Sequence, residues 1–281
     1  MRGASAESLE TLTEALGSAV ESASDAPSDA PSDAPRVAAQ IADDLFGVSE
    51  ILRREPGLRR VATDGSVVAE AKSDLVRQVF GEKLDAASLD LVAKAAGLRW
   101  ASPRDLADAL ERLGVIAVVK GADRAGHADA LEDELFGFGR VVTENPDLRD
   151  ALSDPARSTQ DKRALLRSLL EGRATSATIR LAEQSVDGTH RTVSVAIDEY
   201  QKVAAEHRNR LVATVRVARE LADGDKQRLE GALSGQYGRP VHLNVVVDPE
   251  VIGGMKVEIG DDVIDGTVAS RLDDARRRLA G

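Results

Sequence analysis

Hydrophobic positions recur with a helical period along most of the first 208 residues of this chain. In residues 8–22 the apolar side chains form one stripe and glutamates occupy other positions; the stripe consists of Leu9, Leu12, Leu16 and Val20. A similar pattern, rich in alanine and leucine, continues from Arg36 to about Arg208. Because apolar residues at spacings of three and four share one face of an α-helix, this region is predicted to be a set of amphipathic helices.

Three sites carry the polar residues that commonly begin a helix. Ser102 supplies a capping hydroxyl, and Pro103 follows it at the first helical position. Asn145 precedes a proline in the same way. Ser158 is followed three residues later by Asp161, in the pattern of a capping box. These signals predict helices that begin after each site, and the helix after Ser102 is predicted to be long.

The helical region contains an internal repeat at a constant offset of 90 residues. The segment 43–47 (DDLFG) recurs as 133–137 (DELFG), and 56–59 (PGLR) recurs as 146–149 (PDLR). Further matched pairs are Asp64 and Asp154, Lys72 and Lys162, Leu75 and Leu165, Arg77 and Arg167, and Leu91 and Leu181. Alanine- and leucine-rich helices resemble one another easily, but the matched turn residues favour a duplication.

The period of the hydrophobic pattern changes to two near Arg210. Three alternating segments predict half-buried β-strands, at 211–217, 241–247 and 255–259. Residues 223–234 return to a helical pattern. A last helix is predicted from about Thr267, and its apolar seam consists of Val268, Leu272, Ala275 and Leu279.

The predicted fold is therefore mostly α with a small α/β C-terminal domain. One or two amphipathic helical bundles are followed by a short-stranded sheet with two helices. The predicted domains are a helical extension over 1–101 that partly duplicates the next domain, a helical bundle over 102–207, and an α/β domain over 208–281. Residues 24–35 (SDAPSDAPSDAP) predict an acidic linker, because proline removes backbone donors and biases the preceding residue towards extended geometry. Deletion of residues 1–35 is therefore expected to leave folding intact.

Composition narrows the classes of function. The net charge of −11 argues against nucleic acid, since a phosphate-binding surface should be basic. The chain has no cysteine, which excludes disulfides and thiolate metal sites and is compatible with a reducing cytoplasm. The longest apolar run, 113–119, is far shorter than the roughly 20 residues of a membrane-spanning helix. The N-terminus lacks the apolar region of a signal peptide, so a soluble, cytoplasmic protein is expected.

The sequence lacks the motifs of common catalytic and nucleotide sites. It contains no G-x-S-x-G elbow, P-loop or G-x-G-x-x-G motif. The four histidines lie far apart without metal-ligand spacing, and each is interpreted as a surface or strand-edge residue: His127, His190, His207 and His242. No catalytic residue, cofactor or metal is therefore predicted.

Several polar or glycine-rich segments have both a functional and a structural interpretation. Gly253 and Gly254 lead into a strand rather than a helix, which favours a turn with positive φ over a phosphate cradle. The aspartates of the linker lack the glycine and terminal glutamate of a calcium loop. The aspartates over 261–265 could be a metal cluster, but a tight turn ending at Gly266 explains them more simply. The arginines over 276–278 could contact an acidic partner or complement a helix dipole.

The C-terminal residues match a known family. The segment 245–257 (VVVDPEVIGGMKV), with its continuation over 260–268 (GDDVIDGTV) and 271–272, resembles the C-terminal signature of the delta subunit of F-type ATP synthases. In mitochondria that subunit is called oligomycin-sensitivity-conferring protein. The matching signature residues are Asp248, Ile252, Gly253, Gly254, Val257, Gly260, Asp265 and Gly266. Residues 145–166 are similar to the helical bundle of that family.

The resemblance covers about residues 102–281. Members of the family usually carry one helical bundle before the α/β domain. This chain has about 100 further residues that precede and partly duplicate that bundle. In this respect it is similar to the long delta subunits of high-GC actinobacteria.

The resemblance implies a non-catalytic stator subunit in the peripheral stalk of a proton-translocating F-type ATP synthase. The helical bundle would hold a helix of an alpha subunit on the catalytic head, formed by alpha and beta subunits, and the C-terminal domain would hold the b subunits. The stator would couple proton flow to ATP synthesis at the cytoplasmic face of the bacterial membrane, as a peripheral protein. The second bundle is expected to dock on the head through a groove formed by Phe136, Leu148, Leu165, Leu169 and Leu181.

Two other classes of function remain open on the residues alone. A helical-repeat adaptor could bind amphipathic helices outside any ATP synthase. An enzyme could use a cleft of the C-terminal domain, although no pair of nucleophile and base is visible in the sequence. Co-purification with an ATPase complex would separate the stator from the adaptor, and an ATPase assay of the isolated chain would test the enzyme.

Overall fold

The computed structural model describes residues 1–22, 34–208, 211–260, 262–270, 272 and 277. The chain forms two compact units, Met1–Ala204 and Ala205–Gly281. The first is helical and the second contains a small sheet, which confirms the predicted fold class. Most of the predicted linker, residues 24–33, lies outside the described residues, and its last two residues belong to a helix that begins at Ala34.

The helices of the first unit alternate between long and short segments. They are α1 (Ala4–Ser22), α2 (Ala34–Arg54), α3 (Pro56–Ala62), α4 (Ala69–Phe80), α5 (Ala86–Gly97), α6 (Pro103–Arg124), α7 (Ala128–Glu144), α8 (Pro146–Ser153), α9 (Thr159–Leu170), α10 (Ser176–Ser185) and α11 (Val193–His207). The predicted starts of α6, α8 and α9 are confirmed. The Ser102 hydroxyl accepts a hydrogen bond from the backbone of Arg104, and the Ser158 hydroxyl accepts one from Asp161.

The sequence repeat is also a repeat of structure. Helices α2 to α5 correspond to α7 to α10 at an offset of 90 residues, and α4 and α9 match at both ends. The carboxylate of Asp44 accepts a hydrogen bond from the backbone N–H of Asp85, and Glu134 accepts the equivalent bond from Thr175. Each pair joins the end of one helix to the side of another, so the duplicated residues hold the same helices together in both copies.

The arginines of the matched turns also act in the same way. Arg59 Nη1 donates to the backbone oxygen of Arg53 at 3.2 Å, and Arg149 Nη1 donates to that of Thr143 at 3.1 Å. The acceptors are themselves 90 residues apart and lie near the C-terminal ends of α2 and α7. Both arginines therefore satisfy carbonyl groups that the helix leaves without an intrahelical partner.

Helix α6 belongs to both copies. It closes the first copy as α11 closes the second, and it opens the second copy as α1 opens the first. The Ser8 hydroxyl of α1 donates to the backbone oxygen of Arg99 at 2.7 Å. On α6, the carboxylate of Glu111 accepts from the backbone N–H of Thr189, the residue 90 positions after Arg99, at 2.8 Å. The first unit is therefore a pair of six-helix bundles that share one helix.

One hydrophobic core runs through both bundles, and its buried residues extend from Leu12 to Ala204. The division predicted at residue 101 consequently does not separate two cores, because α6 contributes to both bundles. The boundary between the two units lies close to the predicted limit at residue 207.

The structure overturns the expectation that residues 1–35 are dispensable for folding. The side chains of Leu12, Leu16 and Val20 on α1 have no exposed surface, and they belong to the main core. The amphipathic stripe was read correctly from the sequence, but it faces the bundle rather than solvent. Removal of α1 would expose the apolar surface that this stripe covers.

The second unit contains a four-stranded sheet with mixed strand directions in its described part. The elements are β1 (Leu211–Val217), α12 (Asp223–Tyr237), β2 (Val241–Val247), β3 (Met255–Ile259) and β4 (Asp262–Asp265), and the strand order is β2-β1-β3-β4. β1 and β2 are parallel and joined through α12, while β3 is antiparallel to both β1 and β4. The core consists of Ala213, Val215, Val217, Leu233, Val241, Leu243, Val257 and Ile259.

The fourth strand corrects the interpretation of residues 261–265 as a polar turn. Asp262 and Asp265 are the ends of β4, and Ile264 pairs with Val257 of β3. All residues of β4 are exposed at the sheet edge, so the strand lacks the alternation of a half-buried strand. Asp261 lies outside the described residues. Residues 268–270 and 272 are helical, as predicted, but Ala275 and Leu279 of the predicted seam lie outside the described residues.

Candidate partner-binding surfaces

The double glycine of the C-terminal signature builds a tight turn. Gly254 has a φ of 80°, a left-handed conformation that residues with a side chain rarely adopt. A Cβ atom on Gly254 would overlap the backbone oxygen of Gly266. The two strands of the signature are joined there by hydrogen bonds from Gly266 N to Met255 O and from Val268 N to Gly253 O, both 2.9 Å. The glycines are therefore required by the close approach of two backbone segments.

The two aspartates of the signature also stabilise turns. Asp248 Oδ1 accepts a hydrogen bond from Glu250 N at 2.9 Å, and Asp265 Oδ1 accepts one from Thr267 N at the same distance. Hydrogen bonds from the backbone and side chain of Thr267 hold the pKa of the Asp265 carboxyl below its usual range. Both carboxylates satisfy backbone donors of their own turns, which is the structural interpretation of these acids.

The remaining signature residues divide between core and surface. Val257 is 3% exposed and belongs to the core of the sheet. Gly260 has a φ of 57° in the turn between β3 and β4. Ile252, in contrast, is 84% exposed. Among the described signature residues, Ile252 is thus a large apolar side chain that the unit itself does not bury.

Further exposed apolar side chains lie near this isoleucine in the chain. The hydrogen bond between Val268 and Gly253 brings Val268, which is 43% exposed, beside the turn that carries Ile252. Leu272 is 57% exposed and follows Val268 at the spacing of one helical turn. We call Ile252, Val268 and Leu272 the C-terminal apolar patch. Apolar side chains grouped at a surface commonly mark a binding interface.

The residues predicted to line a groove in the helical unit differ in exposure. Leu181 is fully buried, so it does not reach solvent in this conformation. Phe136, Leu148 and Leu165 are half-buried, and Leu169 is 39% exposed. Leu148 and Leu165 pack against the core of the unit. Leu169 is therefore the predicted groove residue that offers the most surface to a partner.

The first copy contains the counterparts of these residues. Leu58, Leu75 and Val79 correspond to Leu148, Leu165 and Leu169 at the 90-residue offset. The three counterparts line an apolar cavity of about 10 Å³ inside the first bundle. The two copies thus place equivalent side chains at equivalent positions, with a larger side chain at position 169 than at position 79.

A buried carboxylate was missed by the sequence analysis. Glu111 on α6 is 2% exposed and accepts hydrogen bonds from Arg53 Nη1 at 2.8 Å, from Thr189 N at 2.8 Å and from the Tyr200 hydroxyl at 2.9 Å. Burial and the charge of Glu111 raise the pKa of Tyr200 well above its usual range. The signal in the sequence was a glutamate next to Leu110 within a strongly apolar stretch. This group joins α2, α6, α11 and the loop before α11, so its role is structural.

Within the described residues, none of the helices combines the length and apolar composition that crossing a lipid bilayer requires. Among the four histidines, the ring of His190 packs edge-on against Tyr200, with centroids 5.9 Å apart. This contact supports the interpretation of His190 as a packing residue.

Comparisons with known proteins agree with the C-terminal signature. The model of the family "ATP synthase delta (OSCP) subunit" matches residues 116–279. A protein of Nocardioides sp. named ATP synthase subunit delta is 55% identical over 281 residues, covering 100% of this chain and 98% of that protein. Proteins of the same name from Streptomyces avermitilis and Kineococcus radiotolerans are 48% and 45% identical, covering 86% and 85% of this chain and 89% and 87% of their own lengths.

These relatives extend the match beyond the family model. The model begins within α6, whereas the Nocardioides protein is similar over the first bundle as well. The long form with two bundles is therefore shared with actinobacterial proteins, and the resemblance read from the sequence is confirmed. The chain belongs to the ATP synthase delta (OSCP) subunit family, whose members are non-catalytic components of ATP synthase.

Proposed function

We propose that this chain is the stator subunit that links the catalytic head of an F-type ATP synthase to its peripheral stalk and so couples proton flow to ATP synthesis. The helical unit would bind a helix of an alpha subunit on the head formed by alpha and beta subunits. The C-terminal unit would bind the b subunits. The complex would place the chain at the cytoplasmic face of the cell membrane as a peripheral protein.

The observation that carries the proposal is the C-terminal apolar patch. The patch lies within the part of the chain that matches the family model, and Ile252 is one of the signature residues. The other described signature residues have an internal structural role, whereas Ile252 has no such role. An exposed isoleucine at a position fixed by a strained glycine turn is well suited to anchor a partner helix through its apolar face.

The helical unit offers a second, separate contact. Leu169 on α9 is exposed, and the half-buried Leu165 lies one helical turn before it. A partner helix with apolar residues at spacings of three and four could pack its side chains against these two leucines. The alpha-subunit helix would then be held by the second copy, through Phe136, Leu148, Leu165 and Leu169.

The test of the C-terminal contact is binding of the purified full chain to a soluble fragment of the b subunit, measured by isothermal titration calorimetry. Ile252→Asp is expected to weaken binding at least about tenfold, since truncating an anchor residue of an interface commonly costs 1–2 kcal/mol or more. The matched control is Val61→Asp, an exposed apolar residue of α3 that is 46% exposed. Equal affinity of wild type, the Ile252 variant and the control would contradict the proposed contact.

The two helical copies can be distinguished in the same way. A peptide with the sequence of the alpha-subunit N-terminal helix would be titrated into variants at the matched positions, Leu169→Asp and Val79→Asp. Weaker binding of the Leu169 variant alone supports docking on the second copy. Weaker binding of the Val79 variant alone would move the contact to the first copy. If neither variant changed the affinity, the head would have to bind elsewhere.

A further inference from the structure

A polar cleft of about 360 Å³ lies in the helical unit, a volume typical of small-ligand sites. It is lined by Arg53, Arg59, Arg104, Ala107, Asp108, Gly188 and Thr189. Three guanidinium groups thus face one carboxylate, in a chain whose net charge is −11. Neither the C-terminal apolar patch nor the predicted groove residues belong to this cleft.

Two of the three arginines are fixed in place by the protein. Arg53 Nη1 donates to Glu111 at 2.8 Å, and its Nη2 donates to the backbone oxygen of Asp187 at 2.8 Å. Arg59 Nη1 donates to the backbone oxygens of Leu52 at 3.0 Å and Arg53 at 3.2 Å. These bonds leave Nε and Nη2 of Arg59 without an acceptor among the residues that the structure describes. A donor fixed in this way loses little side-chain entropy when it binds a ligand.

The third arginine is not engaged by the described part of the chain. Arg104 is exposed in the first turn of α6, and its guanidinium has no hydrogen-bond or ion-pair partner among the described residues. The carboxylate of Asp108 accepts a hydrogen bond from the Thr189 hydroxyl at 2.6 Å. The donors of the cleft that lack an acceptor therefore come from two positively charged side chains, Arg59 and Arg104.

The cleft exists only because the chain has two helical copies. It forms where the loop before α11, from the second copy, lies over α2, α3 and α6 of the first. At the 90-residue offset, Arg53 corresponds to Thr143 and Arg104 corresponds to Ser194. Arg59 corresponds to Arg149, which has the same carbonyl-capping bond but does not line this cleft. The second copy therefore contains one arginine where the first contains three.

We propose that this cleft is a binding site for a phosphate-type oxyanion, such as inorganic phosphate, pyrophosphate or the polyphosphate of a nucleotide. Guanidinium groups bind phosphate oxygens through paired, charge-assisted hydrogen bonds. Among the described residues that line the cleft, Ala107 is the sole one with an apolar side chain, so the ligand is recognised by its charge rather than by an apolar group. The proposal does not depend on the stator function.

The test is calorimetric titration of the purified full chain with pyrophosphate at an ionic strength of about 0.15 M, where exposed charges are largely screened. Arg104→Ala is expected to weaken binding about tenfold or more, the loss associated with one charge-assisted hydrogen bond. Arg140→Ala is the matched control, because that exposed arginine pairs with Glu144 of its own helix and lies outside the cleft. This control is expected to bind as the wild type does.

A second pair of variants separates binding from folding. Arg59→Ala and Arg149→Ala each remove one carbonyl-capping arginine, so their thermal stabilities are expected to fall by similar amounts. Loss of pyrophosphate binding is expected for Arg59→Ala alone. Equal binding by both variants, or no binding by the wild type, would overturn the proposal. Citrate that bound as tightly as pyrophosphate would also overturn it, because the cleft would then select carboxylates equally well.

Discussion

The buried carboxylate of Glu111 gives the most informative test of how the two helical bundles are held together. Glu111→Ala removes an acceptor from three donors, provided by Arg53, Thr189 and Tyr200. The Arg53 side chain is 20% exposed, while that of Glu111 is 3% exposed. The guanidinium would lose its carboxylate partner while remaining mostly buried. Removing one partner of a buried ion pair commonly costs about 3–5 kcal/mol.

The loss is large compared with the stability of an ordinary domain, which is about 5–15 kcal/mol. We therefore expect Glu111→Ala to lower the free energy of unfolding of the helical unit by about 3–5 kcal/mol. The double variant Arg53→Met/Glu111→Leu replaces both charges with apolar groups. It is expected to be more stable than Glu111→Ala, since the remaining partner is no longer left as a buried, unpaired charge.

The assay uses the single tryptophan of the chain. Trp100 lies in the helical unit, half-buried, and its Nε1 donates to the backbone oxygen of Ala95 at 2.9 Å. Urea unfolding followed by tryptophan fluorescence therefore reports on this unit rather than on the C-terminal unit, which avoids a two-state analysis of the whole chain. The control is Arg140→Ala, an exposed pair that is expected to change stability by less than about 0.5 kcal/mol.

A Glu111→Ala variant as stable as this control would refute the reasoning. It would mean that the three donors find other acceptors, or water, at no net cost. A double variant no more stable than Glu111→Ala would leave the single substitution refuted as a measure of an unpaired charge, because the loss would then come from packing instead.

Three further predictions concern other parts of the chain. Leu16→Ala on α1 is expected to cost about 2–5 kcal/mol in the same urea assay, because the residue is fully buried; no loss would restore the idea of a dispensable N-terminus. Gly254→Ala is expected to cost about 1–3 kcal/mol from backbone strain, and more than Gly253→Ala; hydrogen exchange over 255–265 measures it, and equal costs would contradict it. The lowered pKa of Asp265 means that its contribution to stability is present above the unfolded-state pKa and is lost as pH falls through the folded-state value; thermal unfolding between neutral and acidic pH should show a smaller dependence for Asp265→Asn.

The parts of the fold that depend on local signals could be predicted from the sequence. The starts of α6 and α9 rest on serine caps that act within three residues, and the structure contains both caps. The strand over 241–247 was predicted with its observed limits, because alternation of buried and exposed residues is itself a local pattern. The double-glycine turn was predicted from its chemistry, and its positive φ was found at Gly254.

The sharing of α6 could not be predicted from the repeat. The 90-residue offset holds for α2 to α5, but α1 and α6 match at a different offset because of the segment between α1 and α2. The equivalent residues also differ in type, since Ser8 on α1 corresponds to Glu111 on α6. Their similarity lies in the backbone segment that each one contacts. A comparison of residue identities does not detect such an equivalence.

The candidate site was predicted only in part for a related reason. The sequence marked Ile252 and Gly254 as members of one signature, but it did not indicate that one is exposed and the other is held by its backbone. It also placed Leu181 in a groove, although the structure buries this residue completely. An apolar stripe shows which face of a helix avoids water. It does not show whether that face meets the same chain or a partner.

The shared helix also determines which part of the chain can fold as a unit. The family model begins at residue 116, inside α6, and therefore leaves out the first half of that helix. That half contributes Leu106, Leu110 and Leu113 to the core, each at most 2% exposed. A chain reduced to the second copy would expose these side chains to water, at a cost of roughly 25 cal/mol for each Å² of apolar surface. The first bundle is consequently not an appendage that the second could lose unchanged: the two copies became one folding unit when they came to share α6.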